Sequence, residues 1–517
     1  MTGSIKRLIG TASAVFTSSR YATYVAWYLL GGAWAGVLIV LTTPWYVSRL
    51  GLEGYGIVGL WLVMQVMMGT LDLGMGATVV RAFAGSRPDR EGHEFKRDLL
   101  RTLEVFYWGV AVALSVVLVL TSDWIGENWL NSSALSTATM SDALQLMAIA
   151  LGLQFPAFLY ANGLAGLQKH GRMNGLQILG NSLRYGGGVL VLLWRPDVVW
   201  FFGMQALVAA IQTMATRRVV WKMIVALAAP QAVFRPDLIR RLWRYSAGMA
   251  FTALAAVLMA NADRIALSAL LPTAELGKYA VAFTATGLLQ IGIQPFYRAF
   301  FPRYSELVSA GDAVRLRKEY FWSCQLLAIV IIPLGIIGWT FAPELLSSWL
   351  GSQDETVTAV FRWLLIGITC SGLTWLPAAF QQAHGWTRLH ASMIAGALVL
   401  GTPTMVWAIL ALGTVGATTV WVLHGISGIT LELWLMHRRL LVGELAEWYR
   451  RVLLPPLLLT LPLVSLSSWA MPKGLGRWES LGWVGATGFV VIAAALVFGL
   501  IMVRKDHPLT SEESGKD

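Results

Sequence analysis

Apolar residues in this chain come in runs of about 20, the length a helix needs to cross the hydrocarbon core of a bilayer. Fourteen runs can be drawn: Tyr24 to Tyr46, Ile57 to Val80, Leu103 to Leu120, Ala143 to Leu164, Leu176 to Trp194, Val198 to Ala215, Tyr245 to Leu271, Tyr279 to Phe301, Phe321 to Phe341, Val360 to Gln381, Leu389 to Leu412, Val415 to Met436, Leu453 to Trp469 and Leu481 to Val503. The pattern predicts an all-α polytopic membrane protein. Between the runs lie short polar segments, the longest being Thr121 to Asp142 and Arg217 to Arg244. Neither is long enough to fold alone, so no soluble catalytic domain is expected and the spans themselves must carry the function.

Composition sharpens this reading. Only 13% of the residues are charged, against about a quarter in an ordinary soluble protein. The net charge of +11 would fit a nucleic-acid partner, but the positions of the 39 Lys and Arg residues argue otherwise. With the N-terminus in the cytoplasm, 31 of them fall on that side, counting Arg298 at the inner end of the eighth run, five fall in outer loops, and three more (Arg184, Arg264 and Arg362) lie inside spans. This is the asymmetry of the positive-inside rule, and it places both termini in the cytoplasm with no nucleic acid involved. The first run is too long for the core of a signal peptide and lacks a small-residue cleavage site, so it is read as retained. Cys324 and Cys370 both fall in spans, which leaves no disulfide or zinc framework.

Residues Gly54 to Gly59, GYGIVG, satisfy the G-x-G-x-x-G pattern. That fingerprint needs a strand before it and a soluble βαβ unit around it, and here it has neither. The glycines are expected to serve a tight outer turn and close helix approach. No P-loop, H-E-x-x-H, G-x-S-x-G or D-x-D sequence occurs. An enzyme is therefore not expected, and neither a cofactor nor a metal site.

Similar signals recur along the chain. LEGYGIV after the first span matches LGKYAVA after the seventh, WIGENWL after the third matches APELLSSWLG after the ninth, and LQKHGR after the fourth matches QQAHGW after the tenth. Two six-helix repeats follow, residues 1–222 and 223–440, with two further helices and a short cytoplasmic tail in 441–517. An even number of spans per repeat gives the repeats one orientation. Two pseudo-symmetric bundles around a central cavity are the expected architecture.

In this order SRLGLEGYGIVGLW, LDLGMGATVVRAFA, ADRIALSALL, ELGKYAVAFTATGLLQIGIQPFYRAFFPRYSE and APELLSSWLG resemble the polysaccharide-transporter branch of the multidrug, oligosaccharidyl-lipid and polysaccharide exporter superfamily, the O-antigen type flippases. The resemblance runs from about Tyr21 to Leu440. It implies a bacterial inner-membrane protein that moves a polyprenyl-diphosphate-linked oligosaccharide from the cytoplasmic to the outer leaflet by alternating access, for O-antigen or exopolysaccharide assembly. The implied partners are that lipid-linked substrate, membrane lipids and, as a further candidate, the polysaccharide polymerase machinery. The motifs do not identify the sugar.

Polar groups at membrane depth are the candidate site residues, because a charge at the centre of a spanning helix costs about 2.5–3.5 kcal/mol even on the lenient scale. Thr286, Gln290, Gln294 and Arg298 recur every four residues, so they share a face of the eighth span, with Pro295 expected to kink it. Gln65, Gly69 and Asp72 share a face of the second span, and Arg184 follows Asn181 by one turn in the fifth. The arginines Arg184, Arg264 and Arg298 suit a diphosphate because the planar guanidinium offers a bidentate fork. Gln290, Gln294, Asn181 and Asn261 would solvate sugars.

Asp263 and Arg264 are adjacent, about 100° apart on a helix, and each is expected to need its own partner. Asp263 reads either as a structural ion-pair partner to another span or as a coupling group, with Asp72 and Glu432 as alternatives. His424 and Ser427 accompany Glu432, which is expected to lie near the cytoplasmic end and to meet water. Two other readings compete. A cation-coupled multidrug exporter of the same superfamily would show acidic groups facing an apolar cavity, which the buried arginines oppose; a non-transporting enzyme or scaffold of polysaccharide assembly would show catalytic residues in a long outer loop, which the chain lacks.

The topology has a direct test. Single cysteines placed at Ser132 or Ser352 should react with an impermeant thiol reagent in intact cells, whereas cysteines in the basic segments Arg81 to Arg101 and Arg217 to Arg244 should be shielded. The reverse pattern would invert every side assignment.

Overall fold

The computed structural model describes residues 20–506 except 71, 73, 87–88, 226–231, 238–256 and 259, with side chains described within 34–498. Residues 245–256 and 259 of the expected span Tyr245 to Leu271, and both termini, therefore lie outside the described residues. Every element described is helical: α1 Arg20–Thr70, α2 Met75–Gly85, α3 Arg90–Leu120, α4 Ser122–Asn128, α5 Thr137–Gly166, α6 His170–Trp194, α7 Val198–Val225, then α8 at residues 260–270 and α9 Thr273–Ala310. There follow α10 Ala313–Thr340, α11 Ala342–Leu350, α12 Glu355–Leu373, α13 Trp375–Ala383, α14 Arg388–Gly396, α15 Thr402–Leu412, α16 Thr419–Ser427, α17 Leu433–Leu440, α18 Leu445–Trp448, α19 Leu454–Ala470 and α20 Arg477–Asp506. Short π-helical turns at Ala397–Gly401, Gly428–Glu432 and Tyr449–Leu453 join several of these.

Among the described residues nine helices are long and apolar enough to cross a membrane, against fourteen runs drawn from the sequence. Two of the nine, Trp34–Thr70 with 37 residues and Arg388–Leu440 with 53, are far longer than the roughly 20 residues of one crossing. In the first, the two expected runs merge across a kink at Gly51, whose φ of 70° is open to glycine and costly for other residues. The second expected run, Ile57 to Val80, is broken. Helix α1 stops at Thr70 and α2 starts at Met75 after Gly74, which has φ 74°.

The chain divides into two compact units, residues 1–261 with 272–277, and residues 262–271 with 278–517. In the first, α5 is the central helix, packed on α3 and α7, while α6 packs on α1. In the second, α10 is central. It packs on α12, and the two last long helices, α19 and α20, lie against it. Its core is aromatic, with Tyr304, Tyr320, Phe380 and Trp448 in one cluster.

The first unit holds the start of α9 by an unusually close approach. A Cβ on Gly277 would stand 1.9 Å from the Leu52 carbonyl oxygen, and one on Gly56 would stand 2.4 Å from that of Thr273. The contact is reciprocal, 52 to 277 and 56 to 273, and it joins the two matched motifs LEGYGIV and LGKYAVA. The segment after α4 joins it too: Thr273 donates its backbone N–H to the Asn131 carbonyl at 2.8 Å. Ser132, Ser133 and the Ala134 N–H all donate to the Glu53 carboxylate.

Because the neighbour of Gly277 is backbone, not a side chain that can turn away, Gly277→Ala should destabilise the protein by about 1–3 kcal/mol. Gly175→Ala, with open space around it, should leave the thermal midpoint of the detergent-purified protein unchanged or slightly raised. Equal midpoints for the two variants would refute the close packing.

Candidate functional site

Arg184 on α6 is 5% exposed. Its Nη1 donates to Gln154 of α5 at 3.0 Å and its Nη2 to Gln212 of α7 at 3.1 Å. Gln65 of α1 donates to the same Gln154 oxygen at 2.8 Å, and the guanidinium lies 5.8 Å from the Trp61 ring centre. Gly180, one turn before Arg184, has no side chain, and the Gln212 amide occupies the space where a Cβ would be. Three other helices thus surround one cation with neutral groups, and two glutamine carbonyls accept from it. Among the described residues no carboxylate pairs with Arg184, and its Nε is buried without a hydrogen-bond partner. Asn181 is half-buried on the same helix. The sequence singled out Gln65, Asn181 and Arg184; it missed Gln154 and Gln212, which lie on helices whose register only packing reveals.

Asp72 stands in the break between α1 and α2, so it does not continue the helical face of Gln65 and Gly69. It accepts from the Gly76 N–H at 2.8 Å and from the Tyr107 hydroxyl. A carboxylate there satisfies the free N–H groups at the start of α2, the usual role of a capping side chain.

A second buried carboxylate, Glu104 on α3, was not anticipated. It is 3% exposed and accepts from Tyr160 at 2.7 Å, Arg217 at 2.5 Å, Trp221 at 3.3 Å and Arg101 at 3.1 Å. Beside it, Val233 and Arg235, in the segment after α7, donate their backbone N–H groups to Asp98 and Thr102 at 2.9 Å each. The signal in the sequence was a lone acid at the rim of a span opposite a basic loop, and it is easily taken for a solvated end.

In the second unit Asp263 is fully buried. Its Oδ2 accepts from the Tyr279 hydroxyl and from Trp421 Nε1 at 2.8 Å, and its Oδ1 from the Arg264 backbone N–H at 2.8 Å. Arg264 Nε stands 3.5 Å from that oxygen, and its guanidinium lies 4.0 Å over the Phe283 ring. The adjacent charges therefore do meet, contrary to the expectation from their helical angle: the arginine stem curls back while its head stacks on the next helix. Asn261 belongs to the first unit, 2% exposed, its amide bonded to the Val257 carbonyl at 2.8 Å.

The four-residue stripe of α9 is not uniform. Thr286 is fully buried and bonded to the Phe283 carbonyl, so it lines nothing. Gln290 is half-buried, and Gln294 and Arg298 are exposed, with Arg298 Nη2 3.3 Å from the Gln294 oxygen. Glu432 is 2% exposed and does not meet water as expected. It sits in a π-helical turn, where Gln381 and His390 reach it at 3.1 and 3.2 Å. His424 and Ser427 lie on the helix before it, with the Ser427 hydroxyl turned to the His424 carbonyl. No group of three or more His, Cys, Asp or Glu among the described residues could hold a metal ion.

Known proteins share this chain's sequence pattern and fold. A family model described as "Polysaccharide biosynthesis protein" matches residues 21–308. A Shigella flexneri protein provisionally named an O-antigen transporter is 23% identical over 427 residues, 81% of this chain and 98% of that protein. Among solved structures, the lipid II flippase MurJ in an inward closed conformation aligns with a TM-score of 0.73 at 10% identity, covering 92% of this chain and 98% of its own. An inward-facing MATE family multidrug transporter of the MOP superfamily aligns with a TM-score of 0.64 at 13% identity, covering 79% and 96%. At such identities the structures establish a shared fold, and these relatives are transporters, not enzymes. The chain belongs to the polysaccharide biosynthesis protein family and is a multi-pass membrane protein with the helical fold of the MurJ and MATE transporters.

Proposed function

We propose that this protein is a flippase that carries a polyprenyl-diphosphate-linked oligosaccharide from the cytoplasmic to the outer leaflet of a bacterial inner membrane by alternating access. The observation that carries the reading is Arg184. A buried guanidinium surrounded by glutamine carbonyls keeps its full charge, and its unbonded Nε leaves a donor for an anion. The named relative, an O-antigen transporter by its provisional title in Shigella flexneri, supports the same class of cargo. Arg264 and Arg298 are the corresponding cations of the second unit, with Gln290, Gln294, Asn181 and Asn261 as polar contacts for sugar. A multidrug exporter for cationic compounds fits less well, since Asp263 and Glu104 already have their acceptor atoms occupied.

Replacement of Arg184 by alanine or glutamine should abolish surface polysaccharide while the protein remains in the membrane, and lysine should restore part of it, because it keeps the charge but loses the fork. Normal export by the alanine variant would remove the main support for an anionic cargo.

Energy supply follows from the sign of that cargo. About two negative charges moved outward across about 100 mV, inside negative, gain on the order of 4–5 kcal/mol if they cross the whole field. In liposomes with a lipid-linked oligosaccharide, collapse of the potential at constant pH and sodium should slow transport. Asp263→Asn would separate the two readings of that residue: a coupling role costs transport at normal stability, whereas a structural role costs about 1–3 kcal/mol of stability through the disturbed donors. An unchanged rate under collapse would show that the field does not drive the cycle.

A further inference from the structure

Several arginines of the second unit have carboxylate partners. Arg317 pairs with Glu444 at 2.5 Å and Glu447 at 3.2 Å, and Arg451 with Glu447 at 2.6 Å. Two others at the end of α17 are treated differently. Arg439 lies 4.4 Å over the Trp386 ring and Arg438 5.4 Å over the Trp434 ring. Among the described residues neither has an ion pair or a hydrogen bond. A guanidinium held over an aromatic ring keeps N–H groups free to donate. Arg438 and Arg439 are consecutive and both exposed, so each can donate to the oxygens of a phosphate, the contact arginine makes best.

The setting says what kind of phosphate. Leu423, Ile426, Leu431 and Trp434 follow one another along the helix that ends in these arginines, each 44–47% exposed. Just beyond the arginines, Val442 is 77% exposed. An apolar face that leads into a tryptophan and then into arginine is the order a helix meets as it leaves the acyl region for the headgroups. We propose that Arg438 and Arg439, stacked on Trp434 and Trp386, form a binding site for the phosphate of an anionic phospholipid of the surrounding bilayer. The occupant is a membrane lipid and not the transported one, because the site opens on the apolar outer face of the helix. The glycerol phosphate would accept from guanidinium N–H groups at this helix end, with its acyl chains along Leu431 and Ile426.

Binding of phosphatidylglycerol and of phosphatidylcholine to the detergent-purified full-length protein, titrated by native mass spectrometry, tests this. Arg438→Gln and Arg439→Gln should each weaken phosphatidylglycerol binding by about fivefold, the equivalent of the roughly 1 kcal/mol a basic residue contributes near an anionic surface. The Arg438→Lys, Arg439→Lys pair should fall between, and phosphatidylcholine should be unaffected. Arg362→Gln serves as a control, since Arg362 also lies over a tryptophan but already donates to the Trp339 carbonyl. Equal phosphatidylglycerol affinity in the wild type and the glutamine variants would overturn the proposal. Displacement by a lipid-linked diphosphate that phosphatidylglycerol cannot reverse would overturn it as well, assigning the site to the cargo. Polysaccharide export by the same variants is read separately, so loss of lipid binding with intact export leaves the proposed transport function standing.

Discussion

A charge at membrane depth must bring its own solvent, and the most deeply buried parts of both units are arranged around that demand. Asp263 has no water to turn to, so it recruits a tyrosine from α9, an indole from α16 and a backbone N–H from its own helix. Three elements are thereby tied at one carboxylate, and the same arrangement positions Arg264 over Phe283. Glu104 does the same for α3, α5 and α7, with arginines added. Breaking such a pair from one side leaves an uncompensated charge, at a cost of several kcal/mol. These carboxylates are therefore structural joints as well as candidate functional groups.

The second constraint is that irregular backbone inside a membrane must be satisfied by the protein itself. The break between α1 and α2 interrupts an apolar run, and Asp72 supplies an acceptor for the Gly76 N–H at the start of α2. In the other matched segment α9 runs unbroken through Pro295. The π-helical turn that carries Glu432 is another local irregularity, again occupied by a buried acid with polar partners. Short π-helical turns of this kind often mark functional positions in helices.

Much of this was legible in the sequence, because length and hydropathy alone decide what can span a bilayer. The helical class, the membrane location and the close approach near Gly56 follow from run lengths, charge asymmetry and glycine placement. The broken second run does not, since no apolarity pattern distinguishes a continuous helix from one interrupted by LDLG. Nor does the company of a buried polar residue. Gln154 and Gln212 lie in runs where a glutamine reads as an ordinary exception, and only the packing of α5, α6 and α7 brings them to Arg184. Thr286 shows the opposite error: spacing placed it on the polar stripe, but a threonine can bond its own helix and vanish into the core.

The choice of glutamine around Arg184 is itself informative under the proposed function. A carboxylate in place of Gln154 or Gln212 would hold the guanidinium more firmly, as Glu104 holds Arg217. It would also cancel the charge that an anionic cargo needs to meet. Neutral carbonyls solvate the cation partly, so the arginine can survive burial in the empty protein and still prefer a diphosphate when one arrives. The preference must stay moderate, because a carrier that binds its cargo too well does not release it. Two glutamine carbonyls from two helices offer a way to set that balance: each is a weak partner that an arriving phosphate can replace singly, and each can return when the phosphate leaves.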